Sequence, residues 1–208
     1  MPGGKTRGDY ERSREEEREA LEAEGRGELK DAEKLWRNYA RLKGKKGSYF
    51  LASYGLCQLG RLLEKEERWG AAAGIYRKAA GMAERGGSME LAALFLLEAA
   101  RCWRRAGRKG RAFEVYEVLA EKWEKRGDFF KAADSYERAA ELVGMGKNYR
   151  KPGEAWMKCA EGHMKRGDLS DALWALERAE RYFRRVGDFE SLRVVEGRRK
   201  EVENLGRD

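Results

Sequence analysis

The apolar and polar positions of this chain repeat every 20 residues along most of its length. A large side chain stands at the same place in each repeat, and the series is Trp36, Leu56, Tyr76, Leu96, Tyr116, Tyr136, Trp156 and Leu176. Four residues after each of the first seven large side chains the residue is small, from Ala40 through Gly60 to Ala160. The apolar positions are spaced three and four residues apart, which is the spacing of one face of an α-helix. Each 20-residue unit therefore predicts one helix that buries one face.

Glycines mark the boundaries between these helices, at Gly27, Gly47, Gly87, Gly107, Gly127, Gly167 and Gly187. Glycine readily adopts the left-handed conformation that ends a helix, and an aspartate after it can cap the next helix. The tripeptide Arg-Gly-Asp occurs at 7–9, 126–128 and 166–168. The last two copies are interpreted as a last-turn cation, a helix stop and an N-cap, and not as an adhesion motif. The pattern predicts an all-α fold, a right-handed α-solenoid of antiparallel helical hairpins with a period of about 40 residues and about nine helices.

The residues from Tyr116 to Phe183 resemble the tetratricopeptide repeat (TPR) family. The resemblance rests on a series that recurs twice, as Tyr116, Leu119, Ala120, Trp123, Gly127, Asp128, Phe129, Ala132, Tyr136 and Ala139, and as Trp156, Cys159, Ala160, His163, Gly167, Asp168, Leu169, Ala172, Leu176 and Ala179. Pro152 precedes the second unit, where such repeats often carry proline. The unit is longer than the usual TPR length of about 34 residues. Long hairpins of this kind are similar to the SNAP-type branch, the adaptors of membrane-fusion machinery.

The repeat pattern divides the chain into two parts. Residues 1–27 form a charged N-terminal segment, expected to be a frayed helix or disordered. Residues 28–208 form a TPR-like helical repeat domain with hairpins 28–66, 68–106, 108–144 and 153–186 and a capping helix 188–204. The opposite pairing of helices into hairpins remains open, because it fits the dipeptide Leu59–Gly60 well.

Composition agrees with helices that have a heavily charged outer face. The 208 residues include 45 Lys and Arg and 37 Asp and Glu, which gives a net charge of +8. One Gln and three Asn beside so many charges favour a heat-adapted source. No apolar signal segment or membrane-spanning run is found, so a cytoplasmic protein without membrane insertion is expected. Three widely spaced cysteines do not indicate a disulfide framework.

Catalytic and metal chemistry find little support in the sequence. His163 is the only histidine, and it occupies a position that other repeats fill with Leu63, Trp103 or Phe183, so a packed structural imidazole is predicted. Cys159 and His163 are spaced as two zinc ligands on one helix would be, but no further Cys or His lies nearby in the pattern. We therefore expect no catalytic residue, no metal and no cofactor.

The resemblance to TPR proteins implies a non-enzymatic interaction module, an adaptor or scaffold whose first helices line a concave groove. Beside the core stripe, the first two of these helices offer cations and small residues, and these are Lys34, Arg37, Arg41, Lys45, Gly74, Arg77, Lys78 and Gly81. On the third such helix the same face is acidic, with Glu114, Glu117 and Glu121. The predicted partner is another protein or an acidic peptide segment, with head-to-tail self-association left open.

Sequence-independent binding of RNA or DNA is the alternative function. Cations cluster near the predicted turns, at Arg101, Arg104, Arg105, Arg108, Lys109, Arg111, Lys147, Arg150 and Lys151, and would line one rim of the solenoid. Helix C-termini also attract cations through the helix dipole, which explains the same cluster without a nucleic acid. Most tryptophans fall at core positions, and only Trp174 is placed off the core face.

Overall fold

The computed structural model describes residues 7–143 and 149–206, and this part of the chain consists of ten α-helices, with tight turns at the connections that lie wholly within the described ranges. The helices are α1 (Arg7–Gly25), α2 (Leu29–Lys45), α3 (Tyr49–Lys65), α4 (Trp69–Arg85), α5 (Met89–Arg105), α6 (Lys109–Lys125), α7 (Phe129–Val143), α8 (Lys151–Arg166), α9 (Leu169–Val186) and α10 (Phe189–Leu205). No strand occurs between these helices within the described ranges. The all-α helical-repeat class predicted from the sequence is confirmed.

The turns have the geometry that the glycine spacing predicts. At the end of α6 the Gly127 amide donates to the Glu124 carbonyl and the Asp128 amide to the Trp123 carbonyl, at 2.9 and 3.0 Å. These two bonds define a Schellman motif, which requires a left-handed residue, and Gly127 has a φ of 76°. The Asp128 side chain then accepts a bond from the Lys131 amide at 3.1 Å, as an N-cap does. The Arg-Gly-Asp copy at 126–128 is therefore a helix boundary.

The Arg-Gly-Asp copy at 166–168 differs from the copy at 126–128 in its capping. Gly167 is left-handed with a φ of 80°, and α9 begins two residues later. The Asp168 side chain, however, accepts no bond from the α9 backbone. It pairs with the Arg166 guanidinium at 3.1 Å instead, so this aspartate links the two sides of the turn.

The large and small positions of the repeat form the core. All eight large side chains of the series are buried, from Trp36 at 0% to Leu56 at 8% exposure. The small positions allow neighbouring helices to approach closely: a Cβ atom built on Gly60 would lie 2.8 Å from Cζ of Tyr76. The alternation of large and small residues therefore fixes how closely each helix packs on the next.

The chain forms two compact units, Met1–Gly107 and Arg108–Asp208, called here the N-terminal and C-terminal units. Within each unit every helix contacts the helix before it and the helix after it, α1 to α5 in the first and α6 to α10 in the second. Within each unit both ways of pairing successive helices are therefore in contact, and the hairpin boundaries remain a prediction.

Polar contacts hold α1 against its neighbours. Lys43 is nearly buried, and its ammonium lies 2.6 Å from the Glu16 carboxylate. The Tyr54 hydroxyl donates to Glu17 at 2.9 Å. Ala20 and Ala23 supply the small buried contacts of this helix. α1 is therefore fixed by a few alanines and by carboxylates that reach α2 and α3.

Candidate functional site

The predicted cationic face comprises exposed residues of α2 and α4 in the N-terminal unit. The two helices are linked where Arg68, just before α4, donates to Glu33 of α2 at 2.8 Å. Arg37 also pairs with Glu33, at 2.6 Å. The remaining cations of this face are exposed and form no ion pair with the described part of the chain, and they are Lys34, Arg41, Lys45, Arg77 and Lys78. We call these five residues and Arg37 the cationic face.

The two glycines predicted beside this face have open space in front of them. A Cβ atom built on Gly74 or on Gly81 would meet no heavy atom within 4 Å. Packing within the chain therefore does not require glycine at either position. Their place in α4 leaves room for another backbone to approach the helix.

The predicted acidic residues lie on α6, in the C-terminal unit. Glu117 accepts a bond from Lys151 at 2.8 Å, and the same ammonium lies 3.7 Å from Glu121. Glu114 pairs with Arg111 at 3.3 Å. The structure therefore brings these carboxylates together with two cations that the sequence placed on the nucleic-acid rim. The basic and acidic halves of the predicted groove fall in separate units.

The other rim residues are also divided between the two units. In the N-terminal unit Arg101 pairs with both Glu64 and Glu98 at 2.6 Å, and the Arg105 guanidinium lies 4.6 Å from the centre of the Trp69 ring. Arg104 is exposed. In the C-terminal unit Arg150 pairs with Asp188 at 2.5 Å.

Arg108 and Lys109 at the start of this unit are exposed, whereas Lys147 lies outside the described residues. Several of the rim cations are thus already neutralised inside the protein. That these cations form one nucleic-acid-binding rim remains a prediction.

A groove that the sequence did not single out lies between α3 and α5, over α4, in the N-terminal unit. Its cavity volume is about 660 Å³, within the range of ligand-binding clefts. Its lining combines apolar and charged side chains, namely Cys57, Arg61, Glu64, Lys65, Trp69, Tyr76, Leu91, Leu94, Phe95, Glu98 and Arg101. We call it the α3–α5 groove. The sequence contains one signal that could have indicated this groove, namely Leu94, an apolar residue outside the buried positions of the repeat.

A partly buried carboxylate, that of Glu64, organises one wall of this groove. The Tyr76 hydroxyl donates to Glu64 at 2.7 Å, and Arg101 donates to the other oxygen of Glu64 at 2.6 Å. Burial alone would raise the pKa of Glu64, but these two bonds outweigh it and lower that pKa overall. Burial raises the pKa of the neighbouring Cys102 thiol to about 12, so that thiol stays protonated.

The corresponding place in the C-terminal unit holds an aromatic cluster. Trp174 occupies the position of α9 that Leu94 occupies in α5, and it is 44% exposed. Its ring stacks on Phe130 with centroids 5.9 Å apart and meets Trp156 edge-on at 5.1 Å. The Arg178 guanidinium lies over both tryptophan rings and pairs with Glu137. Trp174 was predicted from its position to lie off the core face, and its side chain is partly exposed.

His163 lies at the edge of the core, and a fifth of its side chain is exposed. Its Nδ1 atom accepts a bond from Arg166 at 3.1 Å and lies 3.6 and 3.7 Å from Asp168 and Asp171. Within the described ranges, His163, Asp168 and Asp171 form the group whose spacing could hold a metal ion. This group differs from the Cys159–His163 pair considered from the sequence. Arg166 places a positive charge on the same nitrogen, which opposes a cation there.

No helix in the described ranges has both the length and the apolar character needed to cross a membrane.

No curated protein sequence matches this chain. Among solved structures, BtubC from P. vanneervenii shares 16% identity with a TM-score of 0.43, over 90% of this chain and 78% of that one. A putative kinesin light chain with TPR-like repeats from Podosopora anserina shares 14% identity with a TM-score of 0.47, over 94% of this chain and 96% of that one.

The family described as "Soluble NSF attachment protein, SNAP" matches residues 16–143, more than half of the 208-residue chain. The match spans α2 to α7 completely, and these helices include the cationic face and the α3–α5 groove. It agrees with the long TPR-like helical repeat that the 20-residue pattern predicts. This protein belongs to the soluble NSF attachment protein (SNAP) family, a branch of the TPR-like helical repeats.

Proposed function

We propose that this protein is a non-enzymatic interaction module that binds an acidic segment of a partner protein on the cationic face. One observation supports the proposal above the others. Five exposed cations on α2 and α4 lack an ion-pair partner within the described part of the chain, whereas many other arginines are paired. Unpaired cations on α2 and α4 suit carboxylates on a partner.

The open space at Gly74 and Gly81 fits the same function. These glycines stand on the cationic side of α4, and glycine in a helix interior costs about 1 kcal/mol relative to alanine. A bound backbone that approaches α4 closely would account for that cost. The family's description names attachment to another protein, which also supports an interaction function.

The test measures binding of a fluorescent polyglutamate peptide by anisotropy. The double variant Arg41→Glu with Arg77→Glu should abolish binding while the helical circular dichroism stays unchanged, because both side chains are exposed. The matched control, Arg193→Glu with Lys200→Glu, reverses two exposed cations of α10 and should leave binding unchanged. Equal loss in both double variants would mean that net charge, and not this face, governs binding.

The same assay distinguishes the acidic-segment proposal from the nucleic-acid alternative. Single-stranded RNA in place of the peptide should bind weakly, and its affinity should not depend on Arg41 or Arg77 in particular. RNA that binds more tightly than polyglutamate, with an affinity that falls steeply with salt, would favour the alternative.

A further inference from the structure

We propose that the α3–α5 groove is a second docking site, which binds a peptide segment carrying a large apolar side chain next to a carboxylate. The site goes beyond the proposed function, because it lies on α3 and α5 and requires an apolar anchor. The whole groove lies within the N-terminal unit. It also lies within the part of the chain that matches the SNAP family.

The apolar part of the groove accounts for the anchor. Leu91, Leu94 and Phe95 lie on α5 and Trp69 begins α4, and all four side chains line the cavity. Leu94 is 59% exposed, although leucine contributes most to stability when buried. A partner's leucine or phenylalanine in the groove would cover Leu94 and remove apolar surface from water on both sides of the contact.

The charged wall beside the anchor is internally satisfied. Glu64 accepts bonds from Tyr76 and Arg101, and Glu98 pairs with the same arginine at 2.6 Å. Two carboxylates share one guanidinium, so this wall presents a fixed polar frame and not an unpaired acid. Such a frame stiffens the groove, and its one excess negative charge lies on carboxylates that already accept hydrogen bonds.

The unpaired charge in the groove is Arg61. This residue of α3 lines the cavity, is exposed, and forms no ion pair or hydrogen bond with the described residues. Lys65, one helical turn further along α3, lies 3.3 Å from Glu24 and is therefore partly neutralised. A carboxylate on the ligand would pair with Arg61, which is why the occupant is an acidic and not a basic peptide.

The open side of the groove favours a chain segment over a small enclosed ligand. Leu94 and Arg61 are both exposed at its border, so a ligand held there stays in contact with solvent. Small-molecule sites commonly bury most of the ligand surface. A peptide laid between two parallel walls needs no such enclosure, and its neighbouring residues can extend along α3 and α5.

The experiment uses the full chain and a fluorescent peptide that contains leucine and glutamate residues. Two further peptides serve for comparison, one with serine in place of leucine and one with lysine in place of glutamate. The unaltered protein should bind the leucine–glutamate peptide, and Leu94→Lys and Arg61→Glu should each weaken that binding about tenfold or more. Arg61→Glu should also improve binding of the leucine–lysine peptide, because the reversed charge then pairs with lysine.

Two controls separate this site from the cationic face and from general effects. The Arg41→Glu/Arg77→Glu double variant should still bind the leucine–glutamate peptide, whereas it should lose polyglutamate. Val118→Lys, at an exposed apolar position of α6 in the other unit, should bind like the unaltered protein. Leu94→Ser repeats the test without an added charge, and circular dichroism confirms that each variant is folded.

Three results would overturn the second site. One is that the serine peptide binds as tightly as the leucine peptide, which would remove the apolar anchor. Another is that Leu94→Lys and Arg61→Glu both bind the leucine–glutamate peptide as tightly as the unaltered protein does. The absence of binding between the unaltered protein and any of the three peptides would overturn the site as well.

Discussion

The Tyr76 hydroxyl donates a hydrogen bond of 2.7 Å to the Glu64 carboxylate, which lies 12 residues earlier in the chain. The same relationship, with the same separation of 12 residues, joins Trp36 to Glu24 at 2.6 Å and Tyr136 to Glu124 at 2.9 Å. In each case the donor belongs to the buried large side chain of one helix and the carboxylate to the last turn of the helix before. A repeated polar bond therefore accompanies the repeated apolar packing.

This bond should contribute measurably to stability. Tyr76→Phe removes the hydroxyl and keeps the ring, so the free energy of unfolding should fall by about 1 kcal/mol. Tyr136→Phe, which removes the bond to Glu124, should have a similar effect, and urea denaturation measures both. The ring of Tyr76 still fills the space in front of Gly60, so a loss comparable to a core deletion would mean that the hydroxyl does more than bond to Glu64.

The lowered pKa of Glu64 predicts a dependence of stability on pH. A carboxyl whose pKa is lower in the folded than in the unfolded state stabilises the fold above its unfolded pKa, near 4.3. That stabilisation is lost as the pH falls through the folded pKa, when Glu64 becomes protonated. Thermal denaturation between about pH 6 and pH 3 should therefore show a shallower decline in Glu64→Gln than in the unaltered protein.

The control for this measurement is Glu196→Gln, a change at an exposed carboxylate of α10 without an ion pair among the described residues. Its decline with pH should match that of the unaltered protein. If Glu64→Gln also follows that curve, the Tyr76–Glu64–Arg101 network does not couple folding to protonation.

The sequence predicted the helices closely because their signals are local. The helix predicted at 188–204 differs from the observed Phe189–Leu205 by one residue at each end, and the hairpin predicted to begin at residue 153 begins at Lys151. Glycine punctuation and apolar spacing are properties of neighbouring residues, which a single sequence displays directly.

The candidate sites were harder to predict because they depend on contacts between distant residues. Arg101 was assigned to a basic rim, since its partner Glu64 is 37 residues away in the chain. Lys151 and Glu117 were assigned to two different surfaces, and they bond to each other. An exposed leucine such as Leu94 fits any surface, and only the fold shows that it borders a cavity.

Among the helix boundaries that the structure describes, the one after α3 lacks the glycine that the pattern calls for, and it predicts a stabilising substitution. Glu67 adopts a φ of 54° at the end of α3, where seven other described boundaries have a left-handed glycine. A side chain in the left-handed region costs roughly 1 kcal/mol or more, so Glu67→Gly should raise the free energy of unfolding by up to about 1 kcal/mol. Gly87→Ala, at a φ of 80° with open space around it, should lower it by a similar amount. A loss of stability in Glu67→Gly would show that the Glu67 side chain stabilises the turn.

Substitutions of Gly74 and Gly81, the two glycines beside the cationic face, should change stability and peptide binding in opposite directions. Gly74→Ala and Gly81→Ala should each raise the free energy of unfolding by up to about 1 kcal/mol, because alanine favours the helix and the new methyl group meets nothing within 4 Å. Both changes should nevertheless weaken polyglutamate binding, since the methyl group occupies the space proposed for the partner's backbone. Gly197→Ala in α10 has the same open surroundings and should gain stability with no effect on binding. If Gly74→Ala and Gly81→Ala bind polyglutamate as tightly as Gly197→Ala does, the partner contacts the cations without approaching the α4 backbone.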